Sequence, residues 1–318
     1  MRHTETVRAA VEARHDHSPN TLSWRRCVVL HGLDPEQLPK QLSERAVVDA
    51  QALAAARERA QPLVTAARPD LDRLAAAFGR SGCCLVLTDE TGTILEQRGT
   101  RADEDSFRAL GLMQGARWDE AHKGTNGIGT ALAEGQAVGI YRDQHFLTAF
   151  AELSCATAPI RDHRGRLAGA FDISSARRDM NKALLGVYLH AAQEAAFHVE
   201  VRLFRAAYPT ARIVLTPEHR APRGLLALDQ DDIVIGANAA ARHALSIDDA
   251  WIAAGHPAWS VLQGEGRAQN DSFDAAERRA IRAALAQAGG RVSGAAKILG
   301  VSRATLHRKI KRLSIKYN

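Results

Sequence analysis

Short apolar-rich runs separated by polar turns occur in the middle of the chain, and this pattern predicts paired β-strands. In residues 83–99, two apolar-rich runs flank an Asp-Glu-Thr-Gly turn, which is a signal for a β-hairpin. In residues 154–173, two further runs bracket a polar turn and predict a second hairpin. Helices over 103–110 and 129–134 and a strand over 137–141 lie between them. Hairpins interleaved with helices predict an α+β domain with a mainly antiparallel sheet.

A helical spacing of apolar residues replaces these runs near the C-terminus. Residues 274–288 carry an apolar stripe at helical spacing and end before a Gly-Gly pair, as an amphipathic helix does. Shorter helices are predicted over 293–299 and 303–313, with Gly300 in the turn and Ser302 as the cap of the last helix. Two short helices joined by a glycine-containing turn predict an all-α helix-turn-helix domain.

The region between these parts is less regular. Residues 179–205 predict one long Ala-rich helix, which either pairs across a dimer axis or packs on the sheet. Residues 224–247 predict a short hairpin and a helix that resemble the start of a PAS domain. Too few residues separate them from the turn-rich 263–267 for a whole PAS domain, so we expect a PAS-like remnant or a structured linker.

The positive charge is concentrated in the predicted helix-turn-helix. Residues 274–318 contain eleven Lys and Arg against two acidic residues, a local charge of +9, whereas the whole chain has a formal charge of +6. The rest of the chain is therefore −3. A small basic unit on a nearly neutral body is typical of a module that binds a polyanion such as double-stranded DNA.

Polar side chains of the last predicted helix project away from its apolar stripe, where they can enter a major groove. Those near its start are placed for base edges, and the later basic ones for phosphates. The expected DNA contacts are Arg303, Thr305, His307, Arg308, Lys309, Lys311 and Arg312. The alternative is a solvated helical hairpin that binds another protein.

The segment AAKILGVSRATLHRKIKRL resembles the helix-turn-helix of the Fis family, the DNA-binding end of many bacterial enhancer-binding regulators. The resemblance implies a homodimer and adds a DNA-contact role for Ser302. His307 departs from it, because tyrosine or tryptophan is more usual there. We therefore do not predict the DNA sequence preference of this protein from that of the family.

Three further motifs, LVLTDETGTILEQRG, KGTNGIGTAL and HFLTAFAELSCATAPIRDHRGRLAGAFDIS, resemble the GAF domain of the acetoin-catabolism activator family of bacterial regulators. The segment SWRRCVVLHGLDP is similar to the helical segment that precedes this domain. The resemblance covers roughly residues 20–205 and implies a sheet and helices that enclose a small-molecule effector. Full-length members carry a central ATPase, which the residues between the two recognised domains cannot hold.

The glycine-rich stretch HKGTNGIGTAL raises the question of whether this loop binds a phosphate group. Its lysine precedes the glycines and no Lys-Ser/Thr follows them, so it is neither a Walker loop nor a dinucleotide turn. A backbone anion nest or a tight helix entry near the GAF pocket remains. The candidate ligand-binding residues are Trp118, His122, Thr125, Asn126, Cys155 and Phe171, and core packing or loop capping is the alternative role for each.

The sequence offers little for catalysis. It lacks H-E-x-x-H and G-x-S-x-G motifs, and its four cysteines form no C-x-x-C pair, so we expect no catalytic residues, no metal site and no cofactor. A different reading is a cysteine-based GAF redox sensor or a methionine-sulfoxide-reductase-like enzyme that uses Cys83, Cys84 and Cys155. Arg80 is the only basic residue near the first two in sequence, which is thin support for a lowered thiol pKa.

These observations predict a cytoplasmic regulator and not an enzyme. The N-terminus is polar, and no apolar run is long enough for a membrane helix. We expect an N-terminal helical segment (1–70), a GAF-like domain (71–205), a PAS-like remnant or linker (206–270) and a helix-turn-helix domain (271–318). A small effector would control operator binding by a dimer without its own ATPase, through RNA polymerase, occlusion or a full-length regulator. An architectural DNA-binding protein is a further alternative.

Overall fold

The structure, a computed structural model, describes residues 3–12, 18–37, 46–78, 82–217, 223–262 and 273–313, together with Ile315. A five-stranded antiparallel sheet forms its centre, with the strand order β2-β1-β5-β4-β3. Its strands are β1 (Cys83–Asp89), β2 (Ile94–Arg98), β3 (Val138–Tyr141), β4 (Ser154–Arg161) and β5 (Leu167–Ser175). This sheet confirms the predicted α+β class.

Side chain to backbone hydrogen bonds shape the two predicted hairpins. In the β1–β2 turn, the Asp89 carboxylate accepts hydrogen bonds from the backbone N–H groups of Thr91 and Thr93. In the β4–β5 turn, Asp162 accepts from the N–H groups of Arg164 and Arg166 in the same way. Aspartate favours such turns because its carboxylate satisfies amides that the ladder cannot reach.

Two long helices cover one face of the sheet, which we call the outer face. They are α4 (Gln61–Phe78) and α8 (Lys182–Ala207), and α3 (Ala50–Arg59) precedes them. Asp70 of α4, 1% exposed, accepts hydrogen bonds from Arg202 of α8 at 2.6 Å and from Arg73 at 2.6 Å. The long predicted helix is therefore buried against the sheet on one side, while Leu184 and Val187 remain exposed.

The expected domain boundary between residues 70 and 71 falls inside α4. Leu63 and Val64, before that point, pack in the same core as Leu71 and Leu74 after it. The apolar stripe of α4 thus runs past residue 70 without a break, and the first turns of the helix pack on the same sheet as the last ones.

Short helices and the N-terminal segment cover the other face, which we call the inner face. The helices are α1 (His3–Glu12), α2 (Pro19–Val29), α5 (Arg101–Ala109), α6 (Glu120–Lys123) and α7 (Gly127–Glu134). The apolar core between them and the sheet contains Trp24 of α2, Trp118, Phe146 and Phe150. Within the described residues, no helix has both the length and the apolar character needed to cross a membrane.

A smaller antiparallel sheet follows α8. Its strands are β6 (Arg212–Leu215), β7 (Leu225–Leu228) and β8 (Val234–Ala237), and its helices are α9 (Ala239–Leu245), α10 (Asp249–Ala253) and α11 (Trp259–Leu262). The predicted hairpin and helix are present, and β6 adds a third strand that the sequence pattern did not reveal. The predicted turn at 263–267 lies outside the described residues.

Three helices form the C-terminal unit: α12 (Phe273–Gln287), α13 (Val292–Ile298) and α14 (Arg303–Arg312). Ile281 and Leu285 of α12 pack with Leu306 and Ile310 of α14 in a core of their own. Ser302 caps α14, since its hydroxyl accepts the Thr305 N–H at 3.1 Å. This is the predicted helix-turn-helix.

Candidate functional site

The glycine-rich loop between α6 and α7 is held mainly by its own polar groups. Asn126 caps α7, because its side-chain oxygen accepts the Gly129 N–H at 2.9 Å, and its side-chain nitrogen donates to the Gly124 carbonyl at 2.8 Å. The Gly124 N–H donates in turn to the Glu120 carbonyl. Two of the loop's amides are thus already bonded, which leaves fewer donors for an anion nest.

The glycines of this loop permit close packing on the sheet. A Cβ atom on Gly127 would lie 2.3 Å from Thr157 Oγ1 and 2.6 Å from Cys155 Cβ, both on β4. A Cβ atom on Gly129 would lie 2.7 Å from the Glu120 backbone nitrogen. The loop therefore needs glycine for lack of space, which explains the motif without a bound phosphate.

Four of the six candidate ligand residues come together on the inner face. These are Trp118, Thr125, Asn126 and Cys155, all at most 2% exposed. Their polar atoms have protein partners: Trp118 Nε1 donates to the Gly111 carbonyl at 2.9 Å, and Thr125 Oγ1 lies 2.6 Å from Ser23 Oγ.

The other two candidates lie elsewhere. Phe171 packs on the outer face with Leu71 and Leu85, so it does not share a pocket with Cys155. Neighbouring residues of a strand face opposite sides, and Phe171 has the opposite parity to Asp172 and Ser174 of β5. His122 lies near the surface, where its Nδ1 is 2.8 Å from the Asp119 carboxylate.

A buried polar chain that sequence reasoning missed crosses the inner face. His145 Nε2 is 3.3 Å from Cys155 Sγ, which lies 3.1 Å from the Ser174 hydroxyl oxygen, and this hydroxyl donates to Asp172 at 2.6 Å. The Thr157 hydroxyl donates to the other Asp172 oxygen at 2.5 Å. Burial raises the pKa of Asp172 to about 6 and lowers that of His145 to about 4, because it disfavours both charged forms. The only available sequence signal was the polar residues at alternate positions of β4 and β5.

The cysteines lie in surroundings that oppose thiolate chemistry. All four are buried, and none forms a disulfide. Burial raises the pKa of Cys27 and of Cys84 to about 12 and that of Cys155 further. Cys84 and Cys155 pair with the same residue of β5 from opposite sides, so their Cα atoms are about 9–10 Å apart, too far for a disulfide. Arg80, considered as an activating charge, lies outside the described residues.

The N-terminal helix α2 is bonded to the same glycine-rich region. The Ser23 hydroxyl donates to Glu120 at 2.6 Å, and Arg26 forms a two-pronged ion pair with Glu120 at 2.7 and 2.9 Å. Arg26 also pairs with Glu134 at 2.6 Å. Because Glu120 is only 5% exposed, these bonds offset the cost of burying its charge.

The helix-turn-helix presents most of the predicted basic residues on the exposed side of α14. Arg303, His307, Arg308 and Lys311 are exposed on α14, beside the exposed cap residue Ser302. Thr305 is half-buried, and its hydroxyl lies 2.8 Å from Ser302 Oγ.

Lys309 is half-buried against α12, whereas Arg312 is exposed. Both form ion pairs with Glu277. Their predicted phosphate contacts stay a prediction, since these ion pairs lie on the side of α14 that faces the first helix of the unit.

Residues 23–196 match the family model for the MimR N-terminal domain, which covers more than half of the chain. The chain belongs to this family. The MimR-type region extends from α2 to α8 and therefore includes both the glycine-rich loop and the helix bonded to it. Residues 272–313 match the model for bacterial regulatory proteins of the Fis family, so the chain joins a MimR-type region to a Fis-type helix-turn-helix.

Relatives of this MimR-type chain include the acetoin catabolism regulatory protein of Cupriavidus necator, 33% identical over 69% of this chain and 33% of that protein. The propane 2-monooxygenase operon transcriptional activator MimR of Mycolicibacterium smegmatis is 31% identical over 62% of this chain and 34% of its own length. The chain thus spans about a third of the length of these curated relatives.

Among solved structures, the E. coli DhaR(N)-DhaL complex contains a similar fold. The TM-score is 0.53 and the sequence identity is 21%, over 79% of this chain and 84% of the matched chain of that complex. This likeness concerns the fold alone and supports the GAF-type architecture of the MimR-type region.

Proposed function

We propose that this protein is a ligand-responsive transcription regulator that binds operator DNA as a dimer. The proposal rests on one observation: the same chain contains a GAF-type domain and a basic Fis-type helix-turn-helix. The +9 charge of residues 274–318 on a body of −3 supports DNA as the partner, because phosphate neutralisation dominates such binding.

The exposed face of α14 is the proposed DNA-reading surface. Arg303 and His307 lie in its first half, where side chains of a recognition helix reach base edges, and Lys311 lies in its second half, near phosphates. Ser302, Thr305 and Arg308 complete the predicted contacts. We assign Lys309 and Arg312 a mainly structural role, because Glu277 already neutralises part of their charge.

Control of transcription would proceed without an ATPase of this chain's own. Only residues 197–271 separate the two family matches, and those described fold as the end of α8 and the small three-stranded sheet. We propose that a small molecule in the MimR-type region shifts the dimer between arrangements, and that two helix-turn-helix units read half-sites about one helical turn apart. By their names, the two relatives regulate acetoin catabolism and a propane 2-monooxygenase operon, which makes a metabolic operon the proposed target.

The test is selection of bound DNA from a random library, followed by fluorescence anisotropy on the selected site. Arg303→Ala should relax the sequence preference, whereas Lys311→Ala should weaken binding to all sequences and reduce the salt slope by about 1. Lys182→Ala, which removes one exposed charge from the MimR-type region, is the matched control and should change neither. A wild-type protein that selects no sequence, or an Arg303→Ala variant with unchanged preference, would count against the assignment.

A further inference from the structure

Lys123, at the end of α6, is buried in the apolar core of the inner face. Its side chain is 1% exposed. Its Nζ lies 5.7 Å from the Trp118 ring centre and 5.8 Å from that of Phe150, and the two rings contact each other with centres 5.1 Å apart. The amine thus occupies a notch between two aromatic rings, which we call the aromatic notch.

No carboxylate or hydrogen-bond acceptor of the described residues pairs with this amine. The acidic side chains next to it in sequence already have partners: Glu120 is bonded to Arg26, and Asp119 to His122. Burial lowers the pKa of Lys123, and no opposite charge counters the effect. Burial of a charged amine in this core costs free energy unless a hydrogen-bond acceptor or a ligand is bound to it. The faces of the aromatic rings compensate the charge of an ammonium only in part.

The surroundings favour an uncharged ligand over an anion. A carboxylate offers about four acceptor sites, and a buried ion pair is stable only when additional hydrogen bonds satisfy them. Lys123 is the only cation placed at the notch among the described residues. A carbonyl compound with small apolar substituents does not need these additional hydrogen bonds. Its carbonyl carbon reacts with a neutral amine.

We propose that Lys123 captures a small uncharged aldehyde or ketone in the aromatic notch as a reversible imine. The nitrogen lone pair attacks the carbonyl carbon to form a C–N bond, and the carbinolamine then loses its oxygen as water. The net reaction joins one amine and one carbonyl into C=N and releases one water, without oxidation or reduction. This inference rests on the proposed function, since it names the chemical class of the effector.

Entry to the notch involves the N-terminal helices. Val7 of α1 and Trp24 of α2 belong to the same apolar core as Trp118 and Phe150. Since Lys123 has almost no exposed surface, a molecule that reaches its amine must displace this cover. Capture of the effector would therefore be coupled to movement of α1 and α2.

The test uses the full chain, propanal as the probe and sodium cyanoborohydride to reduce any imine at pH 7, with peptide mass spectrometry as the readout. Lys182, which is exposed, is the internal reference. We expect Lys123 to gain a propyl group several-fold faster than Lys182. A merely structural buried lysine would react more slowly than Lys182, and that result would overturn the proposal.

Two variants identify the site. Lys123→Met and Lys123→Arg should both lose the fast adduct while Lys182 keeps its rate, and a fast adduct that persists in either would also overturn the proposal. Operator binding by the wild-type protein is measured in parallel. Intact operator binding without a fast Lys123 adduct rejects the imine alone, whereas absent operator binding rejects the regulator assignment whatever the lysine does.

Discussion

Replacement of Gly127 by alanine tests whether the glycine-rich loop is built for close packing. The new Cβ atom would lie 2.3 Å from Thr157 Oγ1 and 2.6 Å from Cys155 Cβ. These atoms cannot withdraw easily, because β4 is paired on both sides by β3 and β5. Overpacking of this kind costs about 1–3 kcal/mol, whereas alanine in a helix gains at most about 1 kcal/mol over glycine. We therefore expect a net destabilisation of about 1–2 kcal/mol.

Gly186 provides the matched control for this substitution. It also lies in a helix, α8, but its Cβ atom would meet no heavy atom within 4 Å. Gly186→Ala should therefore stabilise the protein by about 0.5–1 kcal/mol. The same chemical change is thus expected to have opposite signs at the two positions.

Urea unfolding followed by tryptophan fluorescence measures both effects. Trp251→Phe and Trp259→Phe in the background remove the signals of the smaller sheet, so that Trp24 and Trp118 report on the inner face. The reasoning is refuted if Gly127→Ala is as stable as the parent, or if Gly186→Ala is destabilised to the same degree.

Three further predictions concern charge and thiols. The folded-state pKa of Asp172, about 6, exceeds its ordinary value of 3.8, so the stability it contributes at low pH is lost as the pH rises through 6. Urea unfolding should show the parent losing about 1 kcal/mol relative to Asp172→Asn between pH 5 and 7, and equal pH profiles would contradict this. Arg26→Met should cost about 3–5 kcal/mol in the same assay by leaving Glu120 buried and unpaired, and a near-neutral effect would show that Glu120 reaches water. Titration with a thiol reagent at pH 8 should find the cysteines unreactive until urea unfolds the protein, and fast native reaction would restore the redox alternative. The thiols concerned are Cys27, Cys84 and Cys155.

The hairpins and the helix-turn-helix were predictable because their signals are local. Asp89 and Asp162 bond to amides two to four residues away, and Ser302 caps a helix that begins at the next residue. Such contacts leave a trace in the sequence at fixed short spacing.

The candidate site was less predictable because its contacts join distant parts of the chain. The partners of Glu120 lie on α2, and whether Phe171 faces one side of the sheet or the other depends on strand parity that residue type does not reveal. The glycine-rich motif likewise suggested an anion nest or a tight helix entry near a ligand pocket. The direction of Lys123, into an apolar core, follows from the short helix α6 and from the packing of Trp118 above it.

The attachment of α2 to the glycine-rich loop has a consequence for biosynthesis. Ser23 and Arg26 leave the ribosome first, yet their partners Glu120, Thr125 and Glu134 follow 94 to 108 residues later. At about 5–20 residues per second, a nascent chain would wait roughly 5–20 s before this contact can form. During that interval Trp24 and Cys27 lack the core that buries them, so the emerging N-terminus exposes apolar side chains that a chaperone can cover.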